Sequence, residues 1–379
     1  MFTLIIFIAV LAVLVLSHEF GHFIVARKNG ITVEEFGFGF PPRLIGIRRL
    51  KFGGKASWQI IWNKRQLEQT LEHHTGTIYS INLIPLGGFV KIKGENADEE
   101  IANDPDSFSA KKTWQKVAVL VAGVAMNFLL AAALISIGYM IGMPAVGDEV
   151  GPNSKLEVAA TMEGKPAAAA GIVAGDKIIK IDNIEHASVP EFQKYVDEHR
   201  TVSVAFTIEH EGKIIVKNIQ PASIDNGRFG IGVAIEAVGI IQYPWYRAIY
   251  EGFVTAGKYF VMIVVGLWTL VRGIFAGASM ESAVAGPVGV AVLTGQAARM
   301  GFVYLLQLTA ILSLNLAVIN ILPIPALDGG RLLFVLWAKF FRRPVNPHTE
   351  QLIHTIGFVL LIILVIMVTV KDIGNNFKF

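Results

Sequence analysis

The stretch His18-Glu19-Phe20-Gly21-His22 carries residue types at a spacing that could do chemistry without help from distant sequence. On an α-helix, positions four apart share a face. Both imidazoles can therefore reach one zinc ion, while Glu19, one residue along, can hold an attacking water as general base. The chain of 379 residues has no cysteine, so disulfides, thiolate catalysis and Cys-ligated metals are excluded, and any metal must sit on His, Asp or Glu. A catalytic zinc takes three protein ligands and leaves a fourth position open. Two histidines leave it one short. The candidate for the third is Asp328, in Asn320-Ile-Leu-Pro-Ile-Pro-Ala-Leu-Asp328-Gly-Gly-Arg331. Plainer readings stand beside these: the histidines could mark a polar helix end, and Asp328 could pair with Arg331 or cap the helix after the prolines. His73 and His74 read as solvated residues, and His354 as an interfacial or packed polar one.

These residues must be positioned by elements made for a bilayer. Hydrophobic residues make up 53% of the chain with 37 glycines in addition, and charged residues only 17%, against about 25% in soluble domains. A net charge of +3 is too small to suggest nucleic acid. A span needs about 20 apolar residues. Val117–Met143, Phe302–Leu327 and Leu352–Val370 qualify, and Met1–Leu16 extends through the polar cluster to Ala26. The first run lacks the basic start and small-residue cleavage site of a signal peptide. In Tyr243–Ala276, Lys258 and Arg272 leave a short uncharged stretch, so an interfacial brace helix is expected over 243–299 with its linker. After 16 apolar residues at about 1.5 Å each, His18 lies roughly 24 Å along its span. Lys and Arg crowd the loop between the first two spans and the one after the third, which places both loops on the cytoplasmic side. By the same rule Asp148–Tyr243, where acidic residues outnumber basic ones, and both termini are extracytoplasmic. Asp328 then reaches the same depth as His18 and His22.

The translocated segment alternates strands with Gly and Pro turns, and reads as one small α+β domain over 148–240. Its phrase Ala170-Gly-Ile-Val-Ala-Gly-Asp-Lys-Ile-Ile-Lys-Ile-Asp-Asn resembles the signature of a PDZ domain. Within the cytoplasmic loop, 28–113, Glu35-Phe-Gly-Phe-Gly-Phe and Ile78–Lys93 are apolar and Gly-rich. They fit either a re-entrant β element, tolerable where protein or water satisfies the backbone, or a surface hairpin. The expected fold is a polytopic α-helical membrane protein with about four transmembrane helices (1–27, 114–143, 300–337, 351–371), a cytoplasmic-side membrane-associated β element and one extracytoplasmic PDZ domain.

His-Glu-Phe-Gly-His in the first span and Asn-x-x-Pro-x-Pro-x-Leu-Asp-Gly-Gly in the third, on either side of one PDZ-like domain, resemble the site-2 protease family. The likeness is to bacterial zinc metalloproteases of regulated intramembrane proteolysis, of the regulator-of-sigma-E protease type. It extends to Gly37-Phe-Gly, Pro85-Leu-Gly-Gly-Phe-Val-Lys91 and Gly286-Pro-Val-Gly. It implies His18, His22 and Asp328 as ligands of one Zn2+ per chain, Glu19 as catalytic base, and Asn315, Asn320 and Pro323 lining the substrate cleft. The implied substrates are single-span membrane proteins, met in the inner membrane among its lipids after a site-1-type protease has truncated them. A physical reason stands beside the cleft assignment: Pro323 and Pro325 remove amide donors, so free carbonyls and Asn side chains can grip an extended backbone. Asparagine also glues membrane helices together, which is the plainer role for both. The sequence departs from the better-known proteobacterial pattern in having room for one PDZ domain only.

Two rivals from other classes use the same residues: a non-proteolytic PDZ membrane scaffold with a relic metal, and a metal transporter. Glu19 separates them, since neither needs a base one residue from a ligand.

Overall fold

The computed structural model describes residues 2–52, 55–62, 76–95, 104–146, 155–185, 188–210, 212–224, 229–276, 286–343 and 345–376. The chain divides into one unit of Met1–Ile137 with Ile249–Phe379 and a second of Gly138–Ala248. His73, His74 and His186 lie outside the described residues.

In the first unit long apolar runs make most of α1, Phe2–Lys28, which also carries the His18–His22 cluster, and of α2, Thr113–Ile141. The pair is antiparallel, because His22 meets Val119 while His18 meets Asn127. Their approach depends on small residues: a Cβ on Gly21 would lie 2.3 Å from the Ala122 carbonyl oxygen. Between them three strands, β1 (Val33–Phe52), β2 (Lys55–Ile61) and β3 (Ile78–Ile92), form an antiparallel sheet in the order β2-β1-β3. Both strands of the β1–β3 pair bend back, so Phe36 faces Val90 on one side and Tyr79 on the other. The sheet is tied internally by the buried Glu35, which accepts from Ser80 Oγ and pairs with Arg43. Its Gly-Gly corner lies on α1, where a Cβ on Gly88 would sit 3.4 Å from Leu16 Cδ2. Gly87, at φ +91°, adopts a backbone closed to most other residues.

After the second unit come α5 (Trp245–Phe275), α6 (Pro287–Met300), α7 (Phe302–Ile321), α8 (Asp328–Phe341) and α9 (Pro347–Asn376). Among the described residues five helices are long and apolar enough to cross a membrane: α1, α2, α5, α7 and α9. That is one more than the four expected. The difference is α5, expected as an interfacial brace. Its three cations, Arg247, Lys258 and Arg272, interrupt the run but leave the helix apolar on average, and long basic side chains can reach from within a span to its edge. It packs lengthwise on α2, with a Cβ on Gly252 falling 2.0 Å from Ser136 Oγ and Phe128 facing Phe260 at 6.1 Å. The third expected span, 300–337, is two helices with a bend at 322–327, because the residue before a proline is driven out of the helical region; Leu322 is extended, at ψ 144°. The Gly286-Pro-Val-Gly motif opens α6 against the end of α9: Asp372 Oδ2 accepts from the Gly289 N–H at 2.8 Å.

The second unit is built on an antiparallel sheet. Its strands are β4 (Met143–Val146), β5 (Lys155–Thr161), β6 (Lys177–Ile181), β7 (Ile184–Glu185), β8 (Val204–His210), β9 (Lys213–Ile219) and β12 (Val233–Ile241), in the order β4-β12-β5-β6-β8-β9 with β7 beside β6. The two-residue strands β10 (Ala222–Ser223) and β11 (Phe229–Gly230) pair separately. Helix α3 (Pro166–Ala169) is a single turn, and α4 (Val189–Glu198) starts on a capping box between Ser188 and Glu191. The apolar faces of strands and α4 meet in a core that includes Val158, Phe192, Phe206 and Ile208. Within the PDZ-like phrase, Gly171 (φ +76°) and Gly175 (φ +95°) turn the chain into β6, and the buried Asp176 holds the turn by accepting from Val173 N–H.

Candidate active site

His18 and His22 face α2 from one side of α1, as their spacing requires. Asp328 arrives at the first turn of α8. His18 Nε2 lies 2.9 Å and His22 Nε2 3.3 Å from Asp328 Oδ2, and the two nitrogens are 3.2 Å apart. Ligand bonds of about 2.0–2.1 Å in a tetrahedron put donor atoms roughly 3.3–3.4 Å from one another. The triangle is close to that size. Both histidines are buried, and Asp328 Oδ2 is buried without a directed hydrogen bond despite its near neighbours. His22 Nδ1 lies 2.8 Å from the Val119 carbonyl and must donate to it, so in the neutral ring Nε2 presents a lone pair. Lone pairs of His22 and Asp328 thus face each other at 3.3 Å. That arrangement repels unless a proton or a metal cation sits between them, and the set of two imidazoles and one carboxylate suits zinc.

Both plainer readings of Asp328 lose their footing. Arg331 is engaged by Glu95, in the turn after β3, and burial is the main influence raising that carboxyl above its ordinary range. Asp328 is the first residue of α8, with Leu327 at the cap position and no side-chain cap bond. Glu19, on the neighbouring side of α1, reaches the sheet, and its Oε2 accepts from the Val90 N–H at 3.0 Å. One carboxylate oxygen is anchored to β3.

The three remaining sequence candidates separate. Asn320, near the end of α7, has its Nδ2 3.5 Å from both nitrogens of His18. Asn315 donates to Ile311 O of its own helix at 2.9 Å. Pro323 sits exposed in the 322–327 bend. Residues that the sequence reasoning passed over complete the surroundings. Asn127, fully buried on α2, brings its Nδ2 to 3.4 Å from His18 Nδ1, and Ser313 Oγ of α7 donates to its carbonyl. A lone Asn inside an uncharged span was the signal available for it.

Gly123 forms the floor. A Cβ there would fall 2.4 Å from His22 Nε2 and 2.6 Å from His18 Cε1. Gly123→Ala is therefore expected to push both rings off their positions while the helices stay packed, since the colliding atoms are side-chain ends. A displacement near 1 Å costs about 100-fold in rate, so at least a 10-fold loss of activity with an unchanged unfolding midpoint is expected. Wild-type activity in Gly123→Ala would contradict this geometry.

A model of the family described as Peptidase family M50 matches residues 6–63 and 65–364 of the chain. A protein of Clostridium perfringens described as a zinc metalloprotease is 33% identical over 361 residues, covering 95% of each chain. Zinc metalloprotease RasP of Geobacillus kaustophilus is 28% identical, covering 98% of this chain and 97% of its own. Among solved structures, the PDZ domain of the SdrC-like protein of Listeria innocua is 31% identical over a segment covering 21% of this chain and 92% of that one, with a TM-score of 0.20. With a family model matched over most of its length and a relative of 33% identity covered almost end to end, the chain belongs to peptidase family M50, the site-2 protease family that its two motifs resemble.

Proposed function

We propose that this chain is a zinc endopeptidase that cuts single-span membrane proteins in or beside their transmembrane helix. The observation that carries the reading is the triangle of His18 Nε2, His22 Nε2 and Asp328 Oδ2, with Glu19 one residue from a donor. These three residues would hold one Zn2+ per chain, which would supply Lewis-acid polarisation of the scissile carbonyl and acidify water. Glu19 takes the water's proton and returns it to the leaving amine, while its anchored oxygen keeps the other one aimed. The buried histidines and Gly123 keep bulk lipid and solvent from the reacting bond.

An amide in a helix is already hydrogen-bonded, so the substrate must unwind before it reacts. Among the described residues the Gly88–Ile92 half of β3 pairs with β1 on one side only. Its other side, which carries Val90 beside Glu19, suits strand addition by the unwound segment. Asn320, with Asn315 and Pro323 along the same helix and bend, lines the path of that strand. The implied substrates are anti-sigma factors or signal-peptide remnants, trimmed first by a site-1-type protease. The enzyme sits in the bacterial inner membrane, with both termini and the PDZ domain extracytoplasmic, an arrangement that takes an even number of crossings and so leaves α5 as a brace rather than a span. The PDZ domain, inserted between α2 and α5, restricts entry to trimmed substrates.

Purified protein is expected to contain one zinc per chain and to cleave a single-span substrate. A chelator should abolish cleavage and added zinc restore it. Cleavage that survives complete zinc removal would refute the reading.

A further inference from the structure

His354 is a polar residue within the uncharged run Leu352–Val370 of α9, a placement that needs a reason. Its Nδ1 accepts the Ala326 N–H at 2.8 Å, and its ring packs edge-on to Phe334 at 5.6 Å. Gly357 shares that face of α9, three residues on. A Cβ there would lie 2.4 Å from Pro325 Cβ and 2.9 Å from its carbonyl oxygen. From the opposite side α8 closes in with Gly329 and Gly330, whose Cβ atoms would fall 2.1 Å from Leu322 O and 2.4 Å from Ile324 O. The 322–327 bend is thus gripped between two helices. Inside the grip Ala326 holds φ +75°, a conformation an alanine keeps only when its surroundings impose it.

We propose that His354 and Gly357 are the seat that fixes this bend, and through it the position of Asp328 two residues later. His354 is a positioning residue: it touches neither the donor triangle nor a substrate, and acts through the Ala326 amide. A donor atom that must meet two others within tenths of an ångström needs its backbone held, and the prolines at 323 and 325 have removed the amides that would have held it within the bend. His354 supplies a partner for one amide that remains. The last helix is then part of the metal site's support as well as a span.

The inference rests on the proposed role of Asp328 as a ligand, and the test separates the two. Zinc affinity of the full-length apoprotein is measured against a competing chelator for wild type, His354→Asn, His354→Gln, His354→Phe, Gly357→Ala and Asp328→Ala, with amide exchange of the segment around Ala326 as a second reading. An Asn oxygen can occupy the place of Nδ1, whereas a Gln amide reaches towards Nε2. His354→Phe and His354→Gln should weaken zinc binding about 10- to 100-fold, the usual effect of losing an outer partner, and speed exchange at Ala326. His354→Asn should stay near wild type in both readings. Gly357→Ala, which unseats Pro325 without touching the histidine, should weaken binding as His354→Phe does and stands in should that variant fail to fold. Wild-type zinc affinity in His354→Phe or in Gly357→Ala, or an Asn variant as weak as Phe, would overturn the inference. If Asp328→Ala loses zinc while His354→Phe keeps it, the inference alone fails; if Asp328→Ala keeps zinc, the ligand assignment fails first.

Discussion

Glu19→Gln is expected to lose peptide-bond cleavage by a factor of about 100 to 10,000, the range general-base catalysis contributes, while zinc content stays at one per chain. The substitution is nearly isosteric and keeps an amide oxygen that can still accept from Val90 N–H, so the contact between α1 and β3 survives. What it removes is the capacity to take a proton. Because Glu19 lies off the donor triangle, the three proposed ligands are untouched and their metal affinity should not move. A companion variant separates anchoring from proton transfer: Glu19→Ala leaves Val90 N–H unpaired and should add a loss of substrate affinity to the loss of rate. Cleavage by Glu19→Gln within a few-fold of wild type would remove Glu19 from the mechanism.

How much of this was legible in the sequence depends on how far apart the partners are. The period of the helix puts His18 and His22 on one face, so that pair needed only local geometry. Asp328 was placed by span direction and depth, without knowledge of contacts, and it meets both histidines. Gly123 and Asn127 were missed for the opposite reason. Their significance lies wholly in approaching residues about a hundred positions away, and nothing in the local pattern of α2 distinguishes a glycine under an imidazole from one in an ordinary helix contact. The sequence reads His354 as an interfacial or packed polar residue; its hydrogen bond to Ala326 depends on a bend whose course the two prolines break but do not dictate. The same bend explains why one expected span is two helices. For α5 the count of uncharged residues between cations shows where the run is broken, whereas the helix as a whole is long and apolar enough to cross despite Arg247, Glu251, Lys258 and Arg272. His210 shows the limit again: its Nδ1 meets Asp176 Oδ1, 34 residues away in the chain, at 2.6 Å across the sheet of the second unit.

Asp328→Ala should separate metal binding from stability more sharply than any other change. Losing an outer-sphere partner weakens a zinc site by about 10- to 100-fold, so losing a direct donor should exceed 100-fold, with cleavage falling in parallel. The cost to the fold should be small. Asp328 caps nothing, and as an acid in the first turn of α8 it gains only about 0.3–1 kcal/mol from the helix dipole. Arg331 keeps its pairing with Glu95 and is not left bare. The apoprotein's unfolding midpoint should therefore change little, while the stabilisation that added zinc gives the wild type, which grows with the ratio of free zinc to Kd, should vanish at low zinc and return only at concentrations more than about 100-fold higher. A residue that merely ended a helix would give the reverse pattern, with lost stability, unchanged zinc affinity and cleavage intact. Asp328→Asn sharpens the contrast, because it keeps size and first-turn placement but offers a neutral oxygen between two imidazoles. Binding as weak as in Asp328→Ala would show that the negative charge is what the zinc requires, recovery to wild type would show that an oxygen donor alone suffices, and wild-type binding in Asp328→Ala itself would remove Asp328 from the ligand set.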